Sequence, residues 1–477
     1  EYSVSPFANN ADSTTIPSSF DLRNVNGKNY VTSIKNQKQT GTCWAHAGLS
    51  AIESNILLKH NTTYDFSELH LSYSTSANYF SDGVNYEGST ARVAGGGGNY
   101  EMTSSYLSKL KGPILETEFP FNSYYDTTVG EQYNYNVKEI SLSQLENKTT
   151  LVDVNNIDWY SFDSCTDEAL NLIKKTIMEK GAVQASYYSD SAYTNGSYLF
   201  HNGTEGTNHA ITLVGWDDSI SKTKFKSGKQ PSSNGAFIMK NSWGTSSGNS
   251  GYYYISYEDT NICKHITSYN NIDFEIEDNV YYYDTLGHWG GYGWGDGQYT
   301  AWAANSFKKN NDKKEVLTEV TIGTRYNTDY EIYISFVDEN GEIDLYNREL
   351  IGTGNVNHEG YGTHKLEEPI LIDKDFSIIV KYTSVDKVDN EEKIKDELSN
   401  IDGDDTNPDE MDNSITEVTP SDFEAEEKIE DAEFLKEFED SMNIYHIHCT
   451  KEEAMKNVVK YSNNMSLLED DLNKNQI

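Results

Sequence analysis

The chain has 477 residues, more than one compact domain holds, so two or three domains are expected. Its formal net charge of −39 argues against nucleic acid and anionic membranes as partners, since both would repel it. No run of about 18 apolar residues is present to cross a membrane as a helix. The four cysteines, Cys43, Cys165, Cys263 and Cys449, are too few and too scattered for a disulfide framework, so the fold is expected to stand without staples.

Residues 1–16 are polar and rich in Ser, Thr and Asn, and read as an arm or the remnant of a removed leader. The sequence opens on Glu1 with no basic-then-apolar leader, as a processed or trimmed product would. The stretch Asn36-Gln37-Lys38-Gln39-Thr40-Gly41-Thr42-Cys43-Trp44 turns on Gly41 and delivers a cysteine to a helix start. Beyond it, Ala45, Leu49, Ile52 and Ile56 recur at i, i+4, i+7 and i+11, one apolar stripe of a helix facing a core. Cys43 then sits in the first turn, where unpaired N–H groups and the helix dipole favour the nucleophilic thiolate. A buried structural cysteine is the alternative. His46, one turn on, is a rival base, but nothing in the sequence supplies an acceptor to orient it, and it reads as packing.

Four glycines follow in Ala94-Gly95-Gly96-Gly97-Gly98-Asn99-Tyr100, ahead of a helical spacing of Met102, Tyr106, Leu107 and Leu110. Such a run lets another backbone approach closely, or makes a flexible turn. Phosphate cradling fits poorly, because no Gly-x-Gly-x-x-Gly or Walker spacing follows. Residues 165–180 read as a helix leading into a strand over 182–188. A histidine then opens an apolar strand in Thr207-Asn208-His209-Ala210-Ile211-Thr212-Leu213-Val214-Gly215-Trp216, and Lys240-Asn241-Ser242-Trp243-Gly244 comes next.

These three motifs, in the order Cys, His, Asn, resemble the papain-like cysteine peptidases. Gln37, Gly41, Cys43 and Trp44 hold places of the family's Gln-Gly-x-Cys-Gly-Ser-Cys-Trp run. Lys38 replaces a glycine, Thr42 a small residue, and Thr40 a cysteine that commonly closes a disulfide, so this loop must be held by packing. Pro17 to Arg23 resembles the start of the mature family domain, and Glu118-Phe119-Pro120-Phe121 an aromatic-Pro-aromatic turn. Ser247 stands where a second tryptophan is frequent, which weakens an aromatic wall. The resemblance implies a two-lobed α+β fold, one helical lobe and one β lobe. It implies Cys43 as nucleophile, His209 as its base, Asn241 as the group orienting the ring, and Gln37 as an oxyanion donor beside the Cys43 N–H. Trp243 would shield the His209–Asn241 bond. Gly97 and Gly98 would pair with an extended substrate as an added strand. Tyr100, Ser186, Thr207, Asn208 and Ala210 would border the pockets around it. This chemistry requires no metal or cofactor, and no clustered Cys/His spacing offers a zinc site.

After about residue 270 the pattern changes to short strands. Aromatics interleaved with glycine (Tyr281 to Trp294, with Trp289) precede strand patterns at 316–322, 330–337, 364–372 and 376–382. This reads as an all-β sandwich over 279–383. The aromatic opening and Tyr330-Glu331-Ile332-Tyr333 resemble the lectin-like domain of cell-wall cysteine proteases from Gram-positive anaerobes. Trp289 and Trp294 would either stack on sugar rings or dock the sandwich. Residues 386–440 carry 23 acidic against 5 basic side chains and are expected to be disordered. Asp402-Gly403-Asp404-Asp405 fails the EF-hand template, because Asn407 replaces its glycine and Asn413 its glutamate. Residues 441–477 either complete the β domain or dock elsewhere.

The expected organisation is an arm (1–16), a papain-like peptidase domain (17–270), a lectin-like sandwich (279–383), an acidic, partly disordered segment (384–440) and a C-terminal segment (441–477). The expected function is a secreted or cell-wall-associated endopeptidase acting on protein or peptide substrates, among them cell-wall or surface-layer proteins, with glycan contact through the lectin-like domain. A carbohydrate-binding adhesin on a retained peptidase scaffold is the rival, opposed by the intact Cys43, Gln37, His209 and Asn241. A transpeptidase sharing the acyl-enzyme is the other.

Overall fold

A computed structural model describes residues 15–76, 94–127, 136–145, 148–282, 300–309, 314–324, 327–338 and 347–384. Most of the N-terminal arm, Trp289 and Trp294, and the acidic and C-terminal segments after residue 384 lie outside the described residues. The chain packs as two compact units that divide at about residue 280.

The first unit runs β1 (Ser19–Asp21), α1 (Cys43–His60), α2 (Glu68–Ser74), α3 (Tyr100–Ser108), α4 (Phe121–Tyr124), α5 (Leu142–Leu145), β2 (Asp153–Tyr160) and α6 (Asp167–Lys180). Then come β3 (Val183–Tyr187), β4 (Thr194–Asn195), β5 (Tyr198–Leu199), β6 (His209–Asp217), β7 (Ala236–Lys240), β8 (Tyr252–Ser256) and β9 (Ile266–Asp273). Its sheet is ordered β2-β9-β3-β6-β7-β8-β5-β4, with β1 added to β6. Helices α2, α4 and α5 gather around Leu69, Tyr73, Ile114 and Phe119, while the strands and α6 enclose a second core around Val183, Ile211, Leu213, Trp216 and Phe237.

Helix α1 joins the two. The sequence predicts one apolar stripe, but α1 is buried on all sides from Trp44 to Ile56, polar residues included. Burial of those polar groups is tolerated because each is matched. Ser50 Oγ accepts from Lys240 Nζ at 2.8 Å, and Glu53 Oε1 accepts from the Phe66 N–H at 2.9 Å. Ser54 Oγ donates to the Tyr30 carbonyl at 2.8 Å and accepts from the Ala182 N–H at 3.1 Å. Asn55 Nδ2 donates to the Lys180 carbonyl at 2.7 Å. The partners belong to segments on different sides of the helix, so α1 is pinned in rotation as well as position.

Local signals set the ends of α6. Thr166 caps it by accepting from the Ala169 N–H at 3.3 Å, Asp167 and Glu168 sit at the positive end, and Gly181 at φ +92° terminates it. The expectation of a staple-free fold is corrected here. Cys165 and Cys263 form a disulfide, with Cα atoms 5.4 Å apart and a sequence separation of 98. The bond joins the approach to α6 to the approach to β9, and so large a separation leaves no local motif to read.

Among the described residues the second unit is all-β, as expected. A four-stranded sheet is ordered β10 (Thr300–Phe307), β15 (Phe376–Ser384), β12 (Thr328–Phe336) and β13 (Glu349–Val356). A long antiparallel pair, β11 (Glu315–Thr324) with β14 (Glu359–Ile372), shares a core with it through Ile322, Ile332, Ile334, Val356, Ile372, Phe376 and Val380. Strands β10 and β13 are absent from the sequence-based expectation. Their runs, Thr300-Ala301-Trp302-Ala303-Ala304 and Glu349-Leu350-Ile351-Gly352-Thr353-Gly354, contain the alanines and glycines that strands usually lack.

Closing a loop of this length removes about 4–5 kcal/mol of unfolded-chain entropy in the loop-closure model. The Cys165→Ser/Cys263→Ser variant is therefore expected to melt roughly 10 °C below the wild type. Dithiothreitol should lower the wild-type Tm and leave the variant's unchanged. Equal melting temperatures with and without the bond would contradict this.

Candidate active site

Cys43 is the first residue of α1 and, among the described residues, the free cysteine. The backbone N–H groups of Ala210, Trp44 and Cys43 itself lie near enough to its sulfur to favour the thiolate. The Ala210 contact brings the thiol to the start of β6, whose first residue is His209. His209 Nε2 donates to Asn241 Oδ1 at 2.9 Å, which leaves Nδ1 for the thiol. The orientation of the Asn241 amide is fixed, since Oδ1 also accepts from the Ser242 N–H at 2.7 Å. Register explains the meeting: β6 runs antiparallel to β7 with Thr212 opposite Lys240, so the residues just past β7 lie beside the first residues of β6.

Two aromatic rings hold the imidazole. Trp243 stacks on His209 with centroids 4.6 Å apart, and Tyr187, opposite His209 in the β3–β6 register, meets it edge-on at 5.7 Å. Tyr253 packs edge-on against Trp243 at 6.1 Å and is hydrogen-bonded through its hydroxyl to Ser247. The aromatic support lost at Ser247 is thus partly returned by Tyr253. Neither Tyr187 nor Tyr253 is legible beforehand, because each acts through a strand partner rather than a motif.

Gln37 is buried, and its side chain is fixed at both ends. Its Oε1 accepts from Ser242 Oγ at 2.6 Å and its Nε2 donates to the Thr40 carbonyl at 2.9 Å, leaving the second Nε2 hydrogen over. The backbone of this loop pairs with the Asn241 segment, Gln37 N–H to the Ser242 carbonyl at 2.8 Å and Gly244 N–H to the Lys35 carbonyl at 3.0 Å. One connection therefore places the Gln37 and Asn241 side chains together.

The glycine run packs against this loop. Gly41 N–H donates to the Gly95 carbonyl at 2.7 Å, and a Cβ on Gly41 would lie 2.7 Å from the Gly97 nitrogen. Gly97 and Gly98 are exposed. Gly98 lies flat on Trp44, where a Cβ would come within 2.4 Å of the indole, whereas a Cβ on Gly97 would meet nothing within 4 Å. Ser186 and Ala210 are cross-strand partners, placing them on one patch beside Cys43. Thr207 and Asn208 are exposed, and the Asn208 side chain is engaged with Ser189, accepting its N–H at 2.6 Å. Tyr100 heads α3 with its ring against Trp159 and His265, at centroid distances of 5.2 and 5.7 Å.

Burial opposes charge at both reacting groups. It pushes the Cys43 thiol up, against the three N–H groups that pull it down, so the helix start alone does not yield the thiolate expected from sequence. It lowers His209 to about 4, against the Asn241 acceptor that raises it. Each group alone favours its neutral form. A thiolate–imidazolium pair, in which each charge solvates the other, is the arrangement that would offset this burial.

Comparison with known proteins agrees with this geometry. Residues 16–273 match the papain family cysteine protease model, and residues 280–407 match the lectin-like domain model. The chain belongs to the papain family of cysteine proteases. Two solved structures of the clostridial cysteine protease Cwp84 share its fold. One, of the cysteine protease and lectin-like domains of this surface layer associated protein of Clostridium difficile, has a TM-score of 0.62 and 25% identity, covering 77% of this chain and 75% of that one. The other, after propeptide cleavage, has a TM-score of 0.64 and 24% identity over 79% of this chain and 86% of that one. Curated relatives include gamete and mating-type specific protein A of Dictyostelium discoideum, 28% identical over 52% of this chain and 45% of the relative. Mouse cathepsin K is 27% identical over 52% of this chain and 62% of its own length. The chain spans about half the length of the curated relatives it matches.

Gly98→Ala is expected to cost about 1–3 kcal/mol through overpacking on the indole, while Gly97→Ala is neutral by thermal melting. Equal behaviour of the two would contradict the packing described. Asn241→Ala removes the acceptor that raises His209, so the imidazolium becomes still less favourable and the thiolate forms at higher pH. Alkylation of Cys43 by iodoacetamide, followed against pH, should shift to higher pH in that variant; an unshifted curve would contradict the role of Asn241.

Proposed function

We propose that the protein is an extracellular, surface-located cysteine endopeptidase in which Cys43, His209, Asn241 and Gln37 carry the chemistry. The observation that carries this reading is the Cys43 sulfur at the head of a buried helix, touching Ala210 beside a histidine held by Asn241 and covered by Trp243.

In this mechanism the Cys43 sulfur, its proton on His209 Nδ1, attacks the scissile carbonyl carbon. The oxyanion receives the Cys43 N–H and the spare Nε2 hydrogen of Gln37. His209 Nδ1–H then protonates the leaving amine as the C–N bond breaks, giving a thioester. Water, its proton taken by His209, releases the acid and restores the thiol. The exposed backbone at Gly97 and Gly98 supports binding of substrate in extended form, one strand added alongside, with Ser186, Ala210, Thr207, Asn208 and Tyr100 around the flanking side chains. Such recognition suits unfolded or loop segments of proteins.

Two observations support an extracellular setting. The Cys165–Cys263 disulfide persists in oxidising compartments, and both solved Cwp84 structures belong to a protein described as surface layer associated. No helix of the described residues is long and apolar enough to cross a membrane. On the same grounds the substrates are envelope or surface-layer proteins, with the lectin-like region supplying glycan contact.

The test is cleavage of an unfolded protein and of internally quenched peptides, with products mapped by mass. Internal cuts are expected from the wild type and none from Cys43→Ala, and Gln37→Ala should lower kcat by about 10²- to 10³-fold. Cleavage surviving in Cys43→Ala would overturn the proposal. Added amines incorporated in preference to water would convert it to a transpeptidase.

A further inference from the structure

The loop from Gln37 to Cys43 carries both oxyanion donors, and Thr40 occupies the place where the resemblance leads one to expect a disulfide cysteine. The loop is held instead by a buried chain of side chains. Thr40 Oγ1 donates to the Gln37 carbonyl at 2.7 Å, so its one hydrogen is used. Thr42 Oγ1, 2.6 Å from Thr40 Oγ1, must then be the donor between the two hydroxyls. His46 Nδ1 lies 2.8 Å from the Thr42 carbonyl and 3.4 Å from its hydroxyl. A carbonyl only accepts, so Nδ1 carries the proton. On its other side His46 Nε2 faces Glu68 Oε2 at 4.0 Å, and Glu68 Oε1 is held by Lys35 Nζ at 2.6 Å. Thr40, Thr42, His46 and Glu68 are all at least nine-tenths buried.

The position of Thr42 gives this chain a consequence. Thr42 is the N-cap of α1, where a threonine hydroxyl ordinarily accepts an N–H of the first turn. No such capping bond forms here; the hydroxyl is turned away to Thr40. An N-cap hydroxyl would accept the N–H of Trp44 or Ala45; the Cys43 N–H, one residue earlier, is not among its targets and stays available to the site. Meanwhile the Thr40 carbonyl accepts one Gln37 Nε2 hydrogen, which aims the other. The chain thus aims the Gln37 donor through the Thr40 carbonyl and holds Thr42, the residue before Cys43, in place.

We propose that the Glu68–His46–Thr42–Thr40 chain positions the oxyanion pocket, with His46 as its central positioning residue. This rests on the peptidase reading above and reverses the expectation that His46 is mere packing. The side chain at 46 acts through the backbone and hydroxyl of Thr42 and touches no reacting atom.

The test uses the full chain with His46→Phe, which keeps a buried ring without nitrogens, His46→Asn, which returns an N–H within reach of the Thr42 carbonyl, and Thr40→Val, which breaks the chain at its far end. Alkylation of Cys43 by iodoacetamide needs the thiolate but no oxyanion pocket; turnover and inhibition by a peptide aldehyde need both. In His46→Phe and Thr40→Val, kcat and aldehyde affinity should fall about 10- to 100-fold, as for an ångström-scale misplacement. KM and the alkylation rate should stay within about threefold, and His46→Asn should recover most of the loss. Unchanged kcat and aldehyde affinity in both variants would overturn the proposal, as would a parallel fall in alkylation, KM and kcat that His46→Asn does not relieve. A wild type that is alkylated yet neither cleaves peptides nor binds the aldehyde would overturn the peptidase reading and the positioning role together.

Discussion

The fold depends on burying a helix that is not apolar. Helix α1 carries serine, glutamate and asparagine into a region closed to water, where an unmatched polar group costs about 1–3 kcal/mol. Each of the four hydrogen-bonded residues described above finds its partner on a different segment: Lys240 on β7, Phe66 before α2, Tyr30 in the entry loop, and Lys180 at the end of α6. The helix therefore cannot slide or rotate without breaking several bonds at once. That rigidity is what fixes the N-terminus of α1, and with it the Cys43 sulfur, against the start of β6.

The same burial sets the electrostatics of the site. Excluding water raises the Cys43 thiol and lowers the His209 imidazole, so neither charge is stable alone. The backbone N–H groups around the sulfur and the Asn241 carbonyl oxygen beside the ring act in the opposite direction and favour transfer of the proton within the pair. Fixed dipoles inside a dry site need no reorganisation as charge develops, which is the physical basis of stabilising a transition state more than a ground state. Beneath the site lies a second charge system, in which Lys35 meets the buried Glu68 at 2.6 Å and the exposed Asp65 at 2.7 Å. Burial lowers Lys240 to about 8, and its amine bonds Thr32 and Ser50.

Much of the site was legible because its parts are local. Cys43, His209 and Asn241 each lie in a run whose neighbours have structural duties, such as Gly41 against Gly95 and Trp243 over His209. What was not legible is whatever depends on pairing across long separations. The Cys165–Cys263 bond spans a sequence separation of 98, and Tyr187 reaches His209 only through strand register. The chain from Thr40 to Glu68 needs the rotation of α1, and the single apolar stripe gives no sign that Ser50, Glu53, Ser54 and Asn55 are buried as well. In the β unit, strands β10 and β13 escaped notice because their alanines and glycines carry little strand signal and only Trp302 and Val356 among their residues are buried.

The most direct measurement is labelling by a peptidyl epoxide selective for papain-like thiols, followed by peptide mapping. The account predicts one equivalent of label, confined to Cys43, at a rate that falls sharply on unfolding because the reactivity belongs to the assembled site. Absence of label in the folded protein, or labelling no faster than in the denatured chain, would contradict the claim that this helix end presents an activated thiol.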